Sequence, residues 1–132
     1  MGSAPQRHVL LVEEDEEFRT GVQGMLAEAG FRVTAAVDFF AAIKVIEAGE
    51  RIDLLLTGLR MTAGTPNGMA ISRMVRLRRR QLPTLYMTGF YEPTVLSALD
   101  PGVPILTKPF TARELVAAIT VACHRHEDNS AS

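Results

Sequence analysis

Short apolar runs alternate with amphipathic stretches along the whole of this chain. His8-Val9-Leu10-Leu11-Val12 reads as a buried strand and ends abruptly in the acidic tract Glu13 to Glu17. Those acids suit a helix start, where free amides and the helix dipole favour negative charge. Phe18, Val22, Met25, Leu26 and Ala29 recur at helical spacing, and Gly30 ends the pattern. Gly21 and Gly24 fall inside this helix, each at a cost of up to ~1 kcal/mol relative to Ala. Phe31 to Val37 predicts a second strand, and Asp38 caps a helix running to about Ala48, with Gly49 as its stop. Ile52 to Thr57 carries Leu54-Leu55-Leu56, the continuous apolar run of a strand buried on both faces.

A Gly-, Thr- and Pro-rich loop, Gly58 to Pro66, follows. Asn67 then caps a third helix bearing Ile71, Met74, Val75 and Arg78. Pro83 to Met87 predicts the fourth strand, and Glu92-Pro93 opens a short fourth helix that Asp100-Pro101-Gly102 ends. Val103 to Thr107 predicts a fifth strand, confined to a sheet edge by Pro104. Thr111-x-x-Glu114 is a capping box for a last helix whose core face is Leu115, Ala118, Ile119 and Ala122. Five strand-helix alternations argue for a parallel sheet covered on both faces. In such sheets functional groups gather at the carboxyl ends of the strands. Here those ends are Glu13/Glu14, Thr57/Gly58, Thr88/Gly89 and Thr107/Lys108.

Bulk composition narrows the partners. The chain has 132 residues, enough for one domain, with residues 7–125 as its body and 1–6 and 126–132 as tails. Fourteen basic and fifteen acidic residues nearly cancel, which removes the electrostatic case for nucleic acid or an anionic membrane. The run Arg73, Arg76, Arg78, Arg79 and Arg80 has no interleaved aromatics and reads as a solvated helix face. Cys123 is alone, and His8, His124 and His126 lack ligand spacing, so neither a disulfide framework nor a structural zinc site is expected. Met61, Met69, Met74 and Met87 read as core filler. No apolar run approaches the ~20 residues that cross a bilayer. The expected location is the cytoplasm.

The strand ends, in this order, resemble the receiver domain of bacterial two-component response regulators over roughly Arg7 to Arg125. Glu13, Glu14 and Arg19 match the family's acidic pair and the Arg that follows it; Thr88-Gly89 matches the end of its fourth strand, and Lys108-Pro109-Phe110 the end of its fifth. The segment Asp53-Leu54-Leu55-Leu56-Thr57-Gly58-Leu59-Arg60-Met61-Thr62 aligns with the family's third strand and places Gly58 at the phosphoacceptor aspartate. The resemblance implies a flavodoxin-like doubly wound sheet of five parallel strands, order 2-1-3-4-5, with five helices. It also implies a Mg²⁺ site at the acidic pair, phosphoryl-gripping roles for Thr88 and Lys108, and a Lys-Pro bond that is typically cis.

Departures from the pattern cluster around Gly58. Both metal acids are Glu, the usual Pro of the following loop is Thr62, and the aromatic switch position holds Ile105. The expectation is a degenerate, stand-alone receiver with no enzymatic role. It would work by contact with a histidine kinase or another signalling protein, a homodimer being one such assembly, with Mg²⁺ bound weakly or not at all. Two rivals remain open: phosphorylation at a neighbour such as Thr57, and a small-ligand or anion site in the vacated pocket. A bridge from Lys108 to Glu13 or Glu14 is expected to fill the place of the missing chemistry.

Overall fold

Alternate residues of the central strands feed two separate cores, because successive side chains on a strand point to opposite faces of the sheet. The computed structural model describes residues 6–89 and 103–131. Strands β1 (His8–Val12), β2 (Arg32–Ala36), β3 (Leu54–Gly58), β4 (Thr84–Thr88) and β5 (Ile105–Thr107) form one parallel sheet in the order β2-β1-β3-β4-β5. Helices α1 (Glu16–Glu28) and α4 (Ala112–Ala131) supply Val22, Leu26, Leu115 and Ile119 to one core, against Val9, Leu11, Leu54 and Leu56. Helices α2 (Phe39–Glu47) and α3 (Gly68–Arg78) supply Ile43, Ile46, Ile71 and Val75 to the other, against Leu10, Val12 and Leu55. That division explains the unbroken apolar runs Val9 to Val12 in β1 and Leu54 to Leu56 in β3, where a sheet with one covered face would alternate.

Local signals set the helix ends. Asp15 accepts from the Phe18 amide, Asp38 from Ala41 and Asn67 from Ala70. In the capping box, the Thr111 amide donates to Glu114 Oε1 (2.8 Å) and the Glu114 amide to Thr111 Oγ1 (3.1 Å). Gly30 and Gly49 follow α1 and α2 with φ of 93° and 84°, the left-handed region that glycine enters without a Cβ penalty.

Several boundaries differ from the sequence reading. Among the described residues the sheet carries four helices; the short helix expected from Glu92 lies outside them. The fifth strand begins at Ile105, not Val103, and β3 runs on through Gly58, which pairs with Met87. The last helix continues to Ala131 instead of fraying from His124, since no Gly or Pro interrupts it. Arg79 is not a solvated member of the basic run. Its Nη2 donates to the carbonyls of Ile46 (3.1 Å) in the last turn of α2 and Glu50 (2.8 Å) just beyond it, tying the end of α3 to the segment that follows α2. His8 is buried and held by the Arg51 carbonyl and Thr34 Oγ1, a structural role.

Candidate functional site

The carboxyl ends of β1, β3, β4 and β5 converge on a pocket of about 450 Å³ lined by Glu14, Gly58, Met61, Met87, Thr88 and Lys108, among others. Parallel pairing sets this convergence: Val12 lies beside Thr57, Gly58 beside Met87, and Thr88 beside Thr107. These strands therefore end at about the same level, and Gly58, Thr88, Gly89 and Lys108 line one crevice. Glu13 leaves β1 there with its amide bonded to the Ala36 carbonyl, which fixes its backbone to β2.

Lys108 reaches back across the crevice to Glu13. The two are 95 residues apart in sequence, and Lys108 Nζ donates to Glu13 Oε1 at 2.6 Å. The Glu13 side chain is only 4 % exposed and that of Lys108 26 %, so this ion pair is sheltered and solvent screens it less than a surface pair. The Lys108-Pro109 bond is cis, and the Lys108 amide donates to the Thr88 carbonyl (2.8 Å). The ammonium also lies 3.9 Å from the centroid of the Phe18 ring, within cation–π range. Phe18 in turn packs edge-on against Phe110. The Lys-Pro-Phe segment thus makes two contacts with one ring of α1, that of Phe18.

Gly58 makes room for this arrangement. A Cβ at position 58 would stand 2.8 Å from Glu13 Oε2, closer than real Cβ contacts come. Glu13 therefore occupies the space into which a side chain at position 58 would project. A second glycine matters as much: a Cβ on Gly68 would run into the Gly58 carbonyl oxygen. Only glycine lets the start of α3 sit directly on the end of β3, where the Gly68 amide donates to the Leu59 carbonyl.

Glu14 goes elsewhere. Its Oε2 accepts from the Thr62 amide (3.0 Å) and the Thr62 hydroxyl (2.9 Å) in the loop after β3. The pairing expected from Lys108 to one of the two glutamates is therefore made with Glu13. Arg19 Nη1 donates to the Glu13 carbonyl at 2.8 Å and, more distantly, to that of Glu14, bracing the turn that separates the two side chains. Thr57 is fully buried and its hydroxyl donates to the Gly58 carbonyl. Thr88 is nearly buried at the pocket wall, and Ile105, at the start of edge strand β5, is half-buried opposite Tyr86.

Residues 9–120 match the response regulator receiver domain family. The chain belongs to that family. Among its relatives, the regulatory protein VirG of Agrobacterium tumefaciens is 30 % identical over 121 residues, covering 89 % of this chain and 44 % of VirG. The transcriptional regulatory protein CseB of Streptomyces coelicolor is 30 % identical over 128 residues, covering 92 % and 51 %. The chain spans about half the length of these relatives. In three dimensions it is similar to a response regulator receiver protein from Sinorhizobium medicae, at 27 % identity and a TM-score of 0.80, covering 92 % of this chain and 97 % of the other.

The Mg²⁺ that the receiver fold implies finds a poor donor set here. Mg²⁺ wants near-octahedral oxygen coordination at short distances. Glu13 is committed to an ammonium, Glu14 to two loop donors, and Gly58 has no side chain. Among the described residues, no three His, Cys, Asp or Glu side chains gather as a ligand set. The sequence reading picked out Glu13, Glu14, Gly58, Thr88 and Lys108, and the fold brings all five to one end of the sheet. It missed Phe18 as the platform under Lys108, Thr62 as the partner of Glu14, and Gly68. Phe18 was legible only as a core position, and nothing local to Gly68 announces its close approach.

Proposed function

We propose that this receiver domain signals without phosphotransfer, as a binding module that holds one conformation and works through protein–protein contact. The observation that carries the reading is the sheltered Lys108–Glu13 pair lying over Gly58. Phosphotransfer of the family type needs a carboxylate nucleophile, a divalent cation against the developing charge, and a lysine to take up phosphoryl oxygens. Glycine at position 58 offers no nucleophile. Lys108 has its counter-ion within the chain, so the bridge holds the lysine inward as a phosphoryl group would. Ile105 supplies no aromatic ring to swing with site occupancy. Mg²⁺ binds weakly in this reading, since both glutamates already have partners. Thr57 is a poor substitute acceptor because its hydroxyl is buried and already donated. The partner is a histidine kinase or another signalling protein, met in the cytoplasm.

The decisive measurement is intact mass after incubation of the full chain with acetyl phosphate and Mg²⁺. The mass stays unchanged; stable addition of one phosphoryl group would overturn the reading. A second reading, a small-ligand site, is favoured by the pocket's volume, which lies within the ~300–1,000 Å³ of ligand sites. A thermal-shift screen against small anions separates the two, because saturable stabilisation appears only if the pocket takes a ligand.

A further inference from the structure

Glu14 stands at the junction of two segments that nothing in their local sequence ties together. Its carboxylate crosses from the end of β1 to the crest of the loop between β3 and α3, 48 residues on. Both donors that hold it belong to Thr62, one from the backbone and one from the side chain, and both meet the same oxygen. The loop around Thr62 is itself ordered by backbone bonds. The Thr65 amide and hydroxyl donate to the Thr62 carbonyl at 3.0 and 2.6 Å, and Gly64 takes a left-handed φ of 88°. Leu59 is bonded to Met87 at one end of the loop, and Gly68 to Leu59 at the other. Thr62 is thus presented on a built turn, with its amide and hydroxyl aimed at Glu14. The atoms nearest a side chain at position 58 come from Glu13 and Met61, none from Glu14.

We propose that Thr62 is a positioning residue that latches Glu14 to the loop side of the pocket, keeping its carboxylate from Lys108 so that Glu13 alone pairs with the lysine. The latch rests on the reading of this site as one that has left phosphotransfer, and it gives that reading a second, separable cause. Gly58 removes a carboxylate; Thr62 sequesters another. Proline, the residue the family pattern places here, has neither an N–H nor a hydroxyl, so it would remove both donors at once. Serine would keep both, and valine would keep only the amide.

Two measurements test the latch in the full chain. The first uses Mn²⁺ alone as probe, followed by water-proton relaxation. Gly58→Asp returns a third carboxylate, and its contact at 2.8 Å is with the far end of a flexible glutamate, which can shift. Adding Thr62→Pro to that variant tightens Mn²⁺ binding by about tenfold or more, a coupling of the size seen between residues in contact. Adding Thr62→Ser leaves the affinity where Gly58→Asp alone puts it, and Thr62→Val falls between. Equal affinity across the series overturns the proposal.

The second measurement does not depend on those variants. Glu14→Ala in the otherwise unaltered chain speeds hydrogen exchange of the Thr62 amide by about tenfold or more while the β1 amides keep their protection. Unchanged exchange at Thr62 overturns the proposal by itself. The outcomes are separable from those of the acetyl phosphate experiment. A phosphorylated wild-type chain would remove the functional reading and leave the Mn²⁺ series interpretable. A flat Mn²⁺ series would remove the latch and leave the mass result standing.

Discussion

Two adjacent glutamates, identical in chemistry, lead into two different halves of the same end of the sheet. Glu13 points into the sheltered half, where it meets Lys108 above the Phe18 ring. Glu14 points into the exposed half, where a surface loop holds it through Thr62. The difference follows from the strand. Consecutive side chains leave a strand on opposite sides, so two acids at its end cannot both face the same partner unless the backbone turns. Arg19 braces both carbonyls and keeps that turn fixed. The sheltered half relies on a charge pair that solvent screens little, whereas the exposed half relies on hydrogen bonds that water can replace.

The largest expected effect comes from breaking the sheltered half. Lys108→Met keeps the stem against Phe18 but leaves Glu13 buried without a counter-charge. It lowers stability by about 3 kcal/mol, the lower end of the range for a broken buried pair because Lys108 keeps some exposure. Urea denaturation reads the loss, and pairing the change with Glu13→Gln recovers most of it. A double variant no more stable than Lys108→Met would show that the pair's charges are not the cause.

Next comes the contact between β3 and α3. Gly68→Ala forces a methyl group against the Gly58 carbonyl oxygen, a backbone atom that cannot step aside. The cost is about 2–3 kcal/mol, towards the top of the range for overpacking. Gly58→Ala meets only the end of the Glu13 side chain and costs less, about 1 kcal/mol. Thermal melts of the two variants side by side rank them. A Gly58→Ala protein less stable than Gly68→Ala would mean that the Lys108 bridge holds Glu13 as rigidly as backbone.

The smallest effect lies in the exposed half. Thr62→Val removes one hydrogen bond between accessible groups and lowers stability by about 0.5 kcal/mol. Its melting temperature stays close to that of the wild type, and a large drop would show that the loop carries more of the fold than its exposure implies. Such a result would erase the contrast between the two halves.

The amino-acid sequence by itself determined the described elements and the caps that start α2, α3 and α4. Continuous apolar runs at β1 and β3, helical spacing in α1 and α3, the Asp38 and Asn67 caps and the Thr111–Glu114 box all depend on contacts within a few residues. Such contacts are already present in the local chain. Alternation of strand and helix then restricted the topology to a parallel sheet and pointed to its carboxyl end. Residue types there gave the candidate site, and the family pattern gave the strand order and the place of Gly58.

Tertiary structure alone decided how that site is wired. Whether Glu13 or Glu14 takes Lys108 depends on the direction in which each leaves β1, across a separation of 95 residues. That Thr62 captures the other depends on where a loop 48 residues away comes to rest. Arg79, one of a run of similar arginines, reaches the end of α2 because packing brings its helix against that end, while Gly68 has to be glycine because β3 ends directly beneath it. Periodicity and capping are properties of neighbours along the chain. Which of two equal charges finds a partner is settled only when distant segments share one space, and there a single carbon atom decides what fits.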